Sequence, residues 1–214
     1  MAFENDVEKN TQSYALFSNF YFWYFAFVGV FFPYFSLYLN WLGFDKLELS
    51  ILLSIGPLTR IVAPYFWGSL ADRMAIHKRI LTGLSITSLL IFLMLSDVDD
   101  FLMMSIFLVI FSFLMAGILP IGEARTFSAL SKKANLYGRI RLWGSVGFIL
   151  AVIFSGIIFE NYSLIFFHTV TVVVLIVLVF SIILIPLKKE NINVISHDSI
   201  FTVLRHPGVV FAFF

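Results

Sequence analysis

"FLMMSIFLVIFSFLMAGILPIGEARTFSALSKKANLYGRIRLWGSVGFILAVIFSGIIF", residues 101–159, is an apolar run, a short basic break and a second apolar run. Crossing a hydrocarbon core of about 30 Å takes roughly 20 helical residues, and each run is long enough. Such a core offers no water to backbone N–H and C=O groups, so an unbroken apolar run of this length has to be a helix. The break, "SKKAN", carries Lys132 and Lys133 at the turn of an antiparallel hairpin. The stretch predicts an all-α membrane protein.

The remainder of the 214 residues fits that reading. The chain is 60% hydrophobic and 13% charged, where a soluble domain carries about 25% charged residues. Six spans are predicted, at about Tyr14–Leu39, Leu49–Leu70, Ile80–Ser96, Phe101–Leu130, Leu136–Phe159 and Ser163–Leu187. The start, "MAFENDVEKN", is acidic and lacks the basic opening and short apolar core of a secretory signal, so the first span is retained. A further run, "GVVFAFF", begins just before the last residue. The expected organisation is a six-helix transmembrane domain at 1–187, a cytoplasmic link at 188–206 and the start of a truncated seventh helix at 207–214. The chain then reads as half of something larger.

Lys and Arg in short links set orientation, because they stay on the cytoplasmic side. The link after span two holds Arg73, Lys78 and Arg79, the one after span four holds Lys132 and Lys133 with Arg139 nearby, and Lys188, Lys189 and Arg205 follow span six. The opposite links hold Lys46 against Asp45, Glu48, Asp97, Asp99, Asp100 and Glu160. The N-terminus is therefore expected in the cytoplasm, with the protein multi-pass in the cytoplasmic (inner) membrane.

Charges inside spans are costly and face protein or a wet cavity. Arg60 sits near the middle of span two, Glu123 in span four and Arg141 in span five. Glu123 lies nine residues before Lys132 and Arg141 nine after it. Both are thus at one depth, roughly 10–14 Å in at 1.5 Å per residue, and can pair either as a structural ion pair or as a solute site. Gly144 and Gly147 form a small-residue stripe suited to close helix packing. Pro33, Pro57, Pro64 and Pro120 inside spans read as kinks or as cavity-lining segments. Tyr21, Trp23, Tyr24 and Tyr34 in span one serve packing or ligand stacking. His168 reads as a hydrogen-bonded helix residue, and His197 and His206 have no metal-ligand spacing. With no cysteine, thiolate metal sites, disulfides and Cys nucleophiles are absent. No phosphate loop, paired carboxylates or Ser/His/Asp set is visible. An enzyme, a cofactor, a metal and a nucleic-acid partner are therefore not expected.

"WGSLADRMAIHKR" (67–79) has the spacing Gly68-x-x-x-Asp72-Arg73 followed by Lys78 and Arg79. It resembles the signature loop of the major facilitator superfamily, departing at Ala75, where that family usually has Gly. "PIGEA" (120–124) followed by "YGRIRLWGSVGF" (137–148) resembles the span-four and span-five motifs of the lactose permease (oligosaccharide–proton symporter) group. The wording is closer still to the phenylpropionate permease group, which also has an arginine in span two, matching Arg60. The resemblance implies a 12-helix fold whose N-terminal bundle has 3+3 inverted repeats and whose site lies between two halves. It also implies solute binding by Glu123 and Arg141, and gating by Gly68, Asp72, Arg73, Lys78 and Arg79. The implied activity is alternating-access symport of a small organic solute (an aromatic acid, a sugar or a nucleoside) with a proton. The bilayer and a C-terminal half of the same carrier would be its partners. The alternative is a non-transporting sensor or truncated partner built on a transporter fold.

Overall fold

The computed structural model describes residues 2–130 and 135–186. The proposed link at 188–206, the start of a seventh helix at 207–214, Lys132, Lys133, His197 and His206 lie outside the described residues. Six long helices follow one another: α1 (Ala2–Trp41), α2 (Lys46–Met74), α3 (His77–Met94), α4 (Phe101–Leu130), α5 (Asn135–Asn161) and α6 (Phe166–Leu184). All six contain a stretch long and apolar enough to cross a membrane, and in α1 that stretch starts at Tyr14. The described residues form a six-helix membrane bundle.

Local chemistry explains where the helices stop. After α1 the Gly43 backbone turns left-handed at φ 96°. Phe44 N–H then reaches back to Leu39 O and Gly43 N–H to Asn40 O, the paired bonds that close a helix C-terminus. "DKLE" opens α2 as a capping box: Asp45 Oδ1 accepts from the Leu47 and Glu48 amides, and Glu48 Oε2 accepts from Asp45 N–H. Asp100 caps α4 in the same way, accepting from Met103 N–H at 2.9 Å. Between α2 and α3 Ala75 takes the left-handed conformation, φ 51°, a strain of about 1 kcal/mol for any residue with a Cβ. The tight turn therefore forms without a glycine. The sixth helix is shorter than expected because Pro186 pushes Ile185 into extended backbone (ψ 128°).

Packing follows an exchange rule. α1 packs chiefly on α5 and then α6, while α4 packs chiefly on α2 and then α3, and α3 touches α6. Replacing each helix by the one three places along maps the first set onto the second, which is the pattern of an inverted 3+3 repeat. Aromatic rings fill the centre: Phe31 stacks on Phe35 at 4.4 Å and lies within 6.2 Å of Phe92, Phe111 and Phe167. Glycines let α5 close on α1, since a Cβ at Gly147 would sit 2.2 Å from Phe22 O and one at Gly29 2.6 Å from Phe148 O. Two aromatic donors pin helix pairs in matching style. Tyr34 Oη donates to Val152 O at 2.8 Å in the notch left by Gly156, and Trp67 Nε1 donates to Phe113 O at 2.9 Å in the notch left by Gly117. α2 and α5 are the least buried of the six helices.

Candidate functional site

Glu123 and Arg141 meet between α4 and α5, with Arg141 Nε 3.8 Å from Glu123 Oε1. That is an ion-pair distance but longer than a hydrogen bond, and each side chain is about one-third exposed (33% and 34%). Tyr137 Oη donates to the same Oε1 at 3.1 Å. The Tyr137 ring is held in turn by a stacked Phe127 at 4.4 Å and by the edge of Tyr21. On the far side of Arg141 the guanidinium carbon lies 4.0 Å over the Phe25 ring and 5.6 Å from that of Tyr21. Gly144 makes room for this stack. A Cβ there would come within 2.6 Å of the Phe25 ring and 3.2 Å of Arg141 Nη1. The result is a charged pair fixed from outside itself, by a phenol on the carboxylate and a ring under the guanidinium. Edge N–H groups and the second carboxylate oxygen remain available to a ligand.

Arg60 does not join this pair. Its guanidinium carbon lies 4.4 Å over the Phe32 ring, and the residue lines a separate cavity between α1, α2 and α4. Pro57, Pro64 and Pro120 each lack the N–H that would bond the carbonyl four residues earlier. The three residues whose carbonyls are released, Leu53, Arg60 and Ala116, all line that cavity. Tyr24 borders it as well, within electrostatic reach of Arg60, Glu123 and Arg141.

In the 67–79 loop, Asp72 Oδ1 sits 2.8 Å from His77 Nε2, which ties the end of α2 to the start of α3. Arg73 and Arg79 are exposed, whereas Lys78 turns inward. Its Nζ donates to Ile183 O at 3.0 Å and to Ile185 O. The reason is the unpaired carbonyls and negative dipole end of α6. Gly68 faces open space, with nothing within 4 Å of a Cβ built there.

Sequence reasoning passed over Tyr137, Phe25 and Arg125. Arg125 is buried (5% exposed) and donates to Pro186 O at 2.8 Å, so α3 and α4 both supply a cation to the end of α6. Its signal was present: it stands two residues from Glu123, about 200° around the helix, as Arg139 stands to Arg141. His168 stacks flat on Phe92 at 5.0 Å and its Nε2 lies 2.8 Å from Phe92 O, joining α6 to α3. Among the described residues no three His, Cys, Asp or Glu side chains gather as a metal site would need.

A six-helix membrane bundle with an inverted repeat is the architecture of one half of the major facilitator fold. The chain belongs to the MFS_1 like family, whose model matches residues 14–214. It is 27% identical over 146 residues to the maltose permease of Geobacillus stearothermophilus, covering 66% of this chain and 36% of that protein. It is 27% identical over 141 residues to the "Probable 3-phenylpropionic acid transporter" of Escherichia coli (strain K12), covering 64% of this chain and 36% of that protein. The crystal structure of the nucleoside transporter NupG superposes with a TM-score of 0.77 at 17% identity, over 94% of this chain and 50% of NupG. The chain thus matches about a third of the length of these curated relatives and half of the solved structure.

Proposed function

We propose that the chain is the N-terminal half of a secondary active transporter that moves a small organic solute across the cytoplasmic membrane by alternating access, in symport with a proton. Its N-terminus lies in the cytoplasm, and the basic ends of the helices face that side. Residues 1–187 form the transmembrane domain, 188–206 the central link and 207–214 the start of the next helix, with a C-terminal half completing the cavity. The loop residues Gly68, Asp72, Arg73, Lys78 and Arg79 serve gating, and Glu123, Arg141 and Arg60 bind the solute.

The observation that carries this reading is the Glu123–Arg141 pair. Opposite charges at one depth, one-third exposed and 3.8 Å apart, form an ion pair left open rather than sealed. An open pair can take a solute hydroxyl or carboxylate between its members, the arginine donating and the carboxylate accepting. A sealed structural pair would be closed by direct hydrogen bonds.

The test is a cycle in the full-length protein. Glu123→Gln and Arg141→Lys should each abolish solute uptake in proteoliposomes while membrane abundance falls by less than about half, since a hydrated pair tolerates loss of one charge better than a dry one. The double variant Glu123→Gln/Arg141→Gln should also stay inactive. Recovery of uptake in the double variant would mean the pair is structural and the solute binds elsewhere.

A further inference from the structure

Behind the Glu123–Arg141 pair stands a hydroxyl with no partner. Tyr21 on α1 is fully buried, at 0% exposed. Its ring meets the edge of Tyr137 and lies 5.6 Å from the Arg141 guanidinium carbon. Its Oη is buried as well and makes no hydrogen bond among the described residues. The hydroxyls of Thr126 and Tyr137 are its electrostatic neighbours, but neither completes a bond with it. A buried donor left unpaired costs the fold the desolvation of that group. Phenylalanine would avoid the cost: Phe17 and Phe20 on the same helix are as deeply buried and carry no hydroxyl.

The other protons around Tyr21 are already committed. Tyr137 Oη gives its single proton to Glu123 Oε1 at 3.1 Å, and Thr126 Oγ1 donates to Gly122 O at 2.8 Å. Both oxygens keep lone pairs, so towards Tyr21 each can only accept. Tyr21 has the proton and lacks the acceptor. Completed through Tyr137, the three groups form a chain from Tyr21 to Tyr137 to Glu123, in which each hydrogen bond polarises the next. A bond to Thr126 would satisfy Tyr21 equally and leave the carboxylate untouched.

The group that can close the chain shares a helix with the arginine. Tyr137 and Arg141 stand four residues apart on α5, and so on one face. α5 in turn packs on α1, which carries Tyr21. Arg141 Nε is 3.8 Å from Glu123 Oε1, about 1 Å beyond hydrogen-bond range. A solute bridging the pair draws that face of α5 inward, and Tyr137 travels with it. We propose that Tyr21 is a positioning residue of the Glu123–Arg141 site: its hydroxyl is unpaired while the site is empty and donates to Tyr137 when the site is filled. The solute is then held more tightly by a group it never touches. This role rests on the reading of the pair as a solute site; the unpaired hydroxyl does not.

The experiment compares Tyr21→Phe, Tyr137→Phe and the double variant in the full-length protein, with two readouts. One is the thermal melt of the empty protein in lipid nanodiscs. Removing a buried, unpaired hydroxyl should raise the midpoint by about 1–3 °C, whereas removing one with a standing partner would lower it. The other is uptake in proteoliposomes of radiolabelled glucose, adenosine and benzoate, one probe from each solute class. For whichever probe is taken up, Tyr21→Phe should raise KM about three- to tenfold with the maximal rate unchanged. In the Tyr137→Phe background the same substitution should move KM by less than about twofold, because the chain has lost its middle member. A lowered midpoint, an unchanged KM, or equal effects in the two backgrounds would each overturn the positioning role and leave the carrier reading standing. Uptake of none of the three probes would remove the carrier reading, and the role of Tyr21 with it, whatever the melt shows.

Discussion

Two arginines in this bundle rest on two phenylalanines of the same helix, yet they do different work. Arg141 comes from α5 and lies 4.0 Å over Phe25; Arg60 comes from α2 and lies 4.4 Å over Phe32. The rings are seven residues apart on α1, close to two turns and so about 10 Å along one face. Arg141 has a carboxylate beside it, and a tyrosine holds that carboxylate in place. Arg60 has neither, and is the more exposed of the two. A cation with a resident partner can discriminate by geometry, because the spacing of donor and acceptor is fixed before the solute arrives. A cation without one can discriminate only by charge.

The comparison can be broken most forcefully at Gly144. A valine there would drive Cβ and its branches into the Phe25 ring and Arg141 Nη1, at an overpacking cost of about 1–3 kcal/mol. Solute affinity at the Glu123–Arg141 pair should fall by roughly 10- to 100-fold in calorimetric titration. An unchanged affinity would show that the stack of Arg141 on Phe25 does not set the geometry of the pair.

A smaller effect is expected at Tyr137. Tyr137→Phe deletes the hydrogen bond to Glu123 Oε1 but keeps the ring stacked on Phe127. Loss of a hydrogen bond to a charged group is worth about 1.5 kcal/mol or somewhat more, so affinity should drop roughly tenfold with abundance unchanged. An unchanged affinity would show that the carboxylate is positioned by its own helix and by Arg141 alone.

The smallest effect belongs to Phe32. Phe32→Leu leaves Arg60 charged but removes the ring beneath it, and an exposed cation–π contact contributes about 0.5–1 kcal/mol. Solute affinity should weaken only about two- to fivefold in the same titration. A loss as large as that of Arg60→Gln would make the ring, rather than the charge, the discriminating element.

Much of this was legible before any coordinates. The spans follow from hydropathy because a bilayer leaves no alternative to the helix, and the meeting of Glu123 with Arg141 follows from equal spacing about one turn. The boundary errors are local. α6 begins and ends inside its apolar run because a left-handed-side φ at Ser163 (132°) and Pro186 interrupt it, and hydropathy does not register backbone breaks. The position of Arg60 was not legible, since its depth was plain but its azimuth depends on how α2 rotates against α4. Tyr137 was quoted in the motif and still missed, because a tyrosine near a helix start is ordinary until a carboxylate on the neighbouring helix is shown to face it. The prolines were readable only as a choice between kinks and cavity walls. Leu53, Arg60 and Ala116 around one space favour the second for Pro57, Pro64 and Pro120, whereas Gly29, four residues before Pro33, packs on α5.

The last turn of α6 is gripped from two directions, by Lys78 from α3 and by Arg125 from α4. In mechanical terms the exit of the bundle is riveted rather than hinged. A tensile load applied beyond Pro186 does not peel α6 away alone; it is shared at once with the two helices that hold its carbonyls. Single-molecule pulling from the C-terminal side should therefore extract α3, α4 and α6 in one cooperative rupture, and severing the rivets with Lys78→Met and Arg125→Met should split that rupture into successive smaller ones.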